Sequence, residues 1–244
     1  MRRMSSLQET RSCSRMMLIM GQSNRIWHYW AGKYPGSVGV LIGPSYGKKV
    51  PVDKWMPFVL DNDAFTAWRD QKTWDVEAWR GMLKWIRMTS LTPLWAAVPD
   101  VVANRQGTLD NWKRYAAEIL ALGWPAAFCV QDGMTPDDVP DNADVVFVGG
   151  SDRWKFPNLK MWTSNFSRVH CARVNAPEMV ESCEQLGCES VDGTGWFRDP
   201  SRPDKVPMLE RFIEGHRNRT PELPMAYALR PNNHSATPVA DPKP

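Results

Sequence analysis

Seven short runs, apolar almost without interruption, constrain this chain more than any other feature. They are VGVLIG (38–43), PFVLDND (57–63), LWAAVPD (94–100), AAFCVQD (126–132), DVVFVGG (144–150), RVHCARV (168–174) and ESVDG (189–193), the last two being the more polar. A strand with one face in water alternates apolar and polar residues. Strands covered on both faces do not, and that cover is the habit of parallel sheets.

Amphipathic stretches fill several of the gaps. Residues 75–87 set Val76, Trp79, Leu83 and Ile86 on one helical face, and 109–122 do the same with Leu109, Trp112, Ala116, Ile119 and Leu120 before Gly123. Asn175 reads as an N-cap with Glu178 three residues on, ahead of a face of Met179, Val180, Cys183 and Leu186 that stops at Gly187. A last helix over about 206–216 carries Met208, Leu209, Phe212 and Ile213. Strand–helix repeats of this kind make a parallel sheet. Seven in roughly 180 residues predict a compact α/β fold, a single-domain (β/α)8 barrel like that of triosephosphate isomerase. An open doubly wound sheet is the alternative, and a dinucleotide-binding version is disfavoured because no G-x-G-x-x-G follows the first run.

Composition agrees with one packed domain: 244 residues, 43% of them hydrophobic and 23% charged. Residues 1–15 (MRRMSSLQETRSCSR) have no apolar period, and MMLIM at 16–20 is too short for a secretory segment. We therefore expect 1–20 to be a disordered leader, 21–220 the barrel and 221–244 a loose Pro-rich tail. A net charge of +3 is too small to signal nucleic acid by itself. Thirteen tryptophans serve as core bulk or stack on bases. Five scattered cysteines without a CxxC give neither a disulfide frame nor a zinc site, so they read as reduced and the chain as cytoplasmic. No apolar run approaches the roughly 18 residues of a membrane span.

Every run after the first ends on a group suited to chemistry: Asp61 and Asp63, Asp100, Gln131 and Asp132, the Gly149-Gly150-Ser151 turn, Arg173 and Asn175, and Asp192 beside Gly193. In an α/β barrel all these ends open on one face, where active sites lie. One such acid is ordinarily a turn or a helix cap; four acid positions around one funnel point to a site. His170 lies mid-strand and reads as a satisfied core or surface residue, so Ser-His-Asp chemistry is not indicated. Asp61, Asp63 and Asp100 leave a magnesium site open. Two carboxylates flanking an anomeric carbon are the usual equipment for cutting a glycosidic bond.

The ordered set VLDNDAF, VPD, FCVQDG, VFVGGS, VHCARVN and GCESVDGT, spanning about 58–195, resembles the tRNA-guanine transglycosylase superfamily. It is most similar to the short phage and bacterial branch that puts 7-deazaguanines into DNA. The resemblance implies base exchange through a covalent Asp192–deoxyribose intermediate, with Asp61 as general acid/base. It implies that Phe65 stacks on the base, that Asp100 and Gln131 read the guanine edge, and that Gly149 and Gly150 give backbone donors near its exocyclic oxygen. Asp132 is a further candidate for base contact. Where the family has Asp-Ser-Gly-Gly this chain has Asp61-Asn62-Asp63-Ala64, so Asp63 is a second candidate for the role of Asp61.

The tRNA-acting members carry a cysteine-rich zinc site after the nucleophile strand. Here no cysteine follows Asp192, and His216 has no thiolate partner. That favours DNA over tRNA and implies no metal and no cofactor. Arg153, Lys155 and Arg173 are the expected nucleic-acid contacts. Lys160, Arg168, Trp154, Phe156 and Trp162 extend a candidate phosphate track, with Lys48 and Lys49 as weaker additions. The implied partners are DNA, duplex or locally opened, and a free 7-deazaguanine base; a homodimer is left open and no membrane is involved. A tRNA-acting enzyme, a non-catalytic base-binding barrel and a metal-dependent hydrolase are the rival readings.

Overall fold

A computed structural model describes residues 16–21, 26–45, 54–193, 195–196 and 204–215. Eight parallel strands close on themselves in chain order. They are β1 (Met17–Met20), β2 (Val38–Ile42), β3 (Phe58–Leu60), β4 (Ala96–Ala97), β5 (Ala126–Val130), β6 (Val145–Val148), β7 (Val169–Cys171) and β8 (Ser190–Gly193). Around them lie α1 (Ile26–Lys33), α2 (Ala64–Arg69), α3 (Val76–Met88), α4 (Arg105–Leu120), α5 (Asp152–Asn165), α6 (Pro177–Leu186) and α7 (Lys205–Gly215). The expected barrel is therefore present.

The seven apolar runs are strands β2 to β8, and the eighth strand is MMLIM. The barrel begins at Met17, inside the segment expected to be a disordered leader. β1 closes the cylinder by pairing with β2 on one side and β8 on the other, with Ile19 opposite Asp192. Residues 1–15, Lys48, Lys49, His216 and the tail 221–244 lie outside the described residues.

Continuous apolar runs follow from burial on both sides. One set of side chains fills the barrel: Ile19, Val59, Trp95, Ala97, Ala127, Cys129 and Val145, with Leu41 and Phe147 against them. The alternate set, including Leu18, Val40, Leu60, Phe128, Val148 and Val191, packs outward under the helices. α3 buries Trp79, Met82, Leu83 and Ile86; its N-cap Asp75 accepts from the Ala78 N–H at 3.0 Å. α4 buries Trp112, Tyr115, Ala116 and Ile119, and its N-cap Asn104 accepts from Gly107 N–H at 2.8 Å. α6 ends as expected on Gly187 at φ 94°, but its N-cap is Ala176, because Asn175 turns its side chain to Gly195 N–H at 2.8 Å. Among the described residues no helix is long and apolar enough to cross a membrane.

Candidate active site

β8 delivers Asp192 to the carboxyl-end mouth with only 6% of its surface exposed. Both hydrogen bonds to its carboxylate land on Oδ1: Arg173 N–H donates at 2.9 Å and His170 Nε2 lies at 3.0 Å. Oδ2 has no hydrogen bond among the described residues. Gly193 has a packing reason, since a Cβ there would lie 2.6 Å from the Val174 carbonyl and 2.7 Å from the Trp196 ring. Val174 N–H in turn donates to Asp192 O at 2.6 Å, so the ends of β7 and β8 are drawn tightly together.

His170 is fully buried inside the barrel, its Nδ1 2.8 Å from Ser190 Oγ. Its ring centroid lies 4.8 Å from that of Trp95 and 4.9 Å from that of Phe147. A Ser–His–Asp chain thus exists, which position in the sequence did not reveal. It runs opposite to a hydrolase triad, with the hydroxyl deep in the barrel and the carboxylate at the mouth.

Across the mouth, β3 presents Asp61. Burial raises its carboxyl pKa to about 8, and the neighbouring carboxylates of Asp63, Asp192 and Asp100 push the same way, while the Asn62 N–H opposes. Asp61 and Asp192 therefore share one electrostatic environment. Asn62, which sequence reasoning passed over, organises this rim. Its Nδ2 donates to Val98 O and to Asp100 Oδ1, each at 3.0 Å. Its Oδ1 accepts from Ala64 N–H at 2.8 Å, starting α2, and its backbone oxygen accepts from Trp74 Nε1 at 2.7 Å. Asp63 is held differently from Asp61. Its Oδ2 accepts from Ser45 N–H at 2.6 Å and its Oδ1 lies close to where a Gly43 Cβ would be, so the carboxylate packs against the loop after β2.

The Asp100–Gln131 pair is brought together as expected. Gln131 Nε2 donates to Asp100 Oδ2 at 2.7 Å, while its Oε1 accepts from Ala103 N–H at 3.2 Å. Burial raises the Asp100 carboxyl pKa; the hydrogen bonds from Asn62 and Gln131 hold it back. Asp132 is tied to the next turn: Ser151 donates to one oxygen from N–H at 2.7 Å and to the other from Oγ at 2.6 Å. Gly149 is not an available donor, because its N–H is shared by Val130 O and Phe147 O at 3.1 Å each. The Gly150 N–H donates to no described residue, and φ of 74° turns the chain there.

Phe65, half-buried on α2, carries the Arg173 guanidinium 4.2 Å over its ring centroid. Arg173 also donates through Nη2 to Gly150 O and has φ of 56°, unusual for a side chain with a Cβ. One face of the Phe65 ring is therefore covered by this chain's own cation. Lys155 is not a phosphate contact. It is fully buried, Nζ donating to Ala172 O at 2.6 Å and lying 2.9 Å from Asp152, so it pins α5 to β7. Arg168 points the other way: it binds Glu189 through two 2.7 Å hydrogen bonds and Leu94 O at 3.2 Å, all at the amino ends of strands. Trp162 is core, leaving exposed Arg153, in the first turn of α5, on the mouth side. Among the described residues no three His, Cys, Asp or Glu side chains gather to hold a metal ion.

No protein-family model matches the chain, and no curated protein matches it. Solved structures do. The YdjI aldolase from Escherichia coli K12 is 11% identical over 83% of this chain and 90% of that one, with a TM-score of 0.51. Phosphoribosyl anthranilate isomerase from Thermus thermophilus is 14% identical over 83% of this chain and 100% of its own, at 0.45. A mutant tryptophan synthase alpha-subunit from Pyrococcus furiosus is 13% identical over 83% and 98%, at 0.49. Identities this low are a likeness of fold.

Proposed function

We propose that this barrel exchanges guanine in DNA for a 7-deazaguanine of the 7-cyano type, through a covalent Asp192–deoxyribose intermediate. The observation that carries the reading is the pair of opposed carboxyls at one mouth. Asp61 keeps its proton to about pH 8, and one oxygen of Asp192 has no hydrogen bond among the described residues.

In this reading Asp192 Oδ2 attacks C1′ and the C1′–N9 bond breaks. Its electron pair leaves with the guanine, which takes the proton of Asp61. A 7-deazaguanine then enters, gives its N9 proton to Asp61, and attacks C1′ to expel the Asp192 carboxylate. Two inversions give net retention, and Asp61 ends protonated as it began. Each oxygen of Asp100 has a second lone pair for the N–H edge of a purine, and the free Gly150 N–H suits its exocyclic oxygen. A flipped nucleotide fits a pocket of this kind. The apolar barrel below Asp192 limits water at the covalent stage, which favours exchange over hydrolysis.

The test is incubation of the protein with duplex DNA, labelled guanine and 7-cyano-7-deazaguanine, with tRNA in a parallel arm, followed by mass spectrometry of the protein for a nucleotide adduct. Label in DNA and an adduct on Asp192 are expected. Incorporation into tRNA alone would change the polymer, and folded protein that modifies neither would end the proposal. Asp192→Ala is expected to lower exchange by more than about a thousandfold with the fold retained.

A further inference from the structure

The barrel interior holds one imidazole the exchange steps do not use. We infer that His170 is a positioning residue for Asp192: it clamps Oδ1 so that Oδ2 is the oxygen presented to the mouth. What Oδ2 attacks rests on the base-exchange reading; the clamp itself rests on geometry.

Three observations converge. First, the two bonds to Asp192, from the Arg173 backbone and from His170, fall on the same oxygen. A network that served only to satisfy a buried carboxylate would gain by using both oxygens, whereas here Oδ2 is left without a partner among the described residues. Second, Asp192 settles which nitrogen faces it with a proton. An ionised Asp192 carboxylate only accepts, so Nε2, 3.0 Å from Oδ1, carries a proton, and the Ser190 hydroxyl, 2.8 Å from Nδ1 and 1% exposed, adapts to the other nitrogen. Third, Trp95 and Phe147 pack against the ring at 4.8 and 4.9 Å between centroids, so it has no room to turn away. The carboxylate cannot rotate without losing both bonds at once, and a misplacement of about 1 Å at a reacting group can cost on the order of a hundredfold in rate.

The test compares wild type with His170→Leu, His170→Gln and Ser190→Ala. Leucine suits an apolar barrel interior and keeps the fold, while the glutamine amide restores a donor towards Oδ1. Single-turnover formation of the protein–DNA adduct is expected to slow about a hundredfold in His170→Leu and to return to within about tenfold of wild type in His170→Gln, with KM for the free base unchanged in both. Adduct formation at the wild-type rate in His170→Leu, or equal loss in Leu and Gln variants, would overturn the clamp while leaving base exchange standing. A wild type that forms no adduct would instead remove the exchange reading. The clamp then still meets its own measurement, the imidazole ¹⁵N shifts of His170 in the free protein. These should report a proton on Nε2, retained in Ser190→Ala; a ring protonated on Nδ1 alone would overturn it.

Discussion

Asp61 keeps its proton because burial and three neighbouring acids oppose its charge. The folded chain holds that proton up to about pH 8, while an unfolded one releases it near the ordinary carboxylate value of 3.8. Between those values the native state binds more protons, so the stability this group contributes is full below about pH 4 and is lost as pH rises through about 8. Asp61→Asn is therefore expected to match wild type in Tm near pH 4, to exceed it increasingly towards pH 8, and to hold a constant advantage beyond; thermal melts across pH check this. If Asp61 donates the proton to the leaving base, exchange by wild type should also fall above about pH 8. At this scale the rim was legible, since position alone puts Asp61, Asp100, Gln131 and Asp192 at the carboxyl ends of strands. Which way a side chain faces was not. Asp63 and Asp132 stand beside Asp61 and Gln131 and turn to Ser45 and Ser151. Asn62 and His170 matter through partners far away in the chain, which no local pattern shows.

The elements owe their places to close approaches that only small groups permit. At the end of β8 the backbone passes so near Val174 and Trp196 that Gly193→Ala must push β8 away from β7. We expect that variant to fold, with Tm lowered and the Asp192–Arg173 hydrogen bond lengthened; a crystal structure together with loss of adduct formation checks it. Asn62→Ala removes a buried side chain that joins the end of β3 to Val98 and Asp100 and starts α2. The cost is expected to be about 2–4 kcal/mol in denaturant unfolding, because Val98 O and Ala64 N–H lose their partner together. Helices with a clear apolar face were readable to within a few residues, and α3 buries three of the four residues expected of it. The start of α6 was misread because Asn175 is as good a partner for a distant N–H as for its own helix.

At the scale of the whole molecule, closure decides everything, and closure depends on four residues. β1 is too short to show a period of its own, and its identity as a strand comes from β2 and β8, which hold it on either side. Leu18→Lys places a charge at a fully buried position of that strand and is expected to prevent the cylinder from closing. Loss of cooperative melting and binding of a hydrophobic dye would report it. By contrast, the parallel barrel itself was readable from seven runs, because burial on both faces leaves its mark in each one separately.

Trp95, Phe147 and His170 stop the cylinder like a cork part-way along its axis. Whatever reaches Asp192 must then come and go by one door. For a base exchange that imposes an order: the outgoing base has to clear the doorway before its replacement can pass, and the sugar waits on the protein meanwhile. Initial rates measured at several concentrations of both reactants should accordingly give parallel double-reciprocal lines, the signature of a substituted-enzyme cycle, and intersecting lines would point to a second way in.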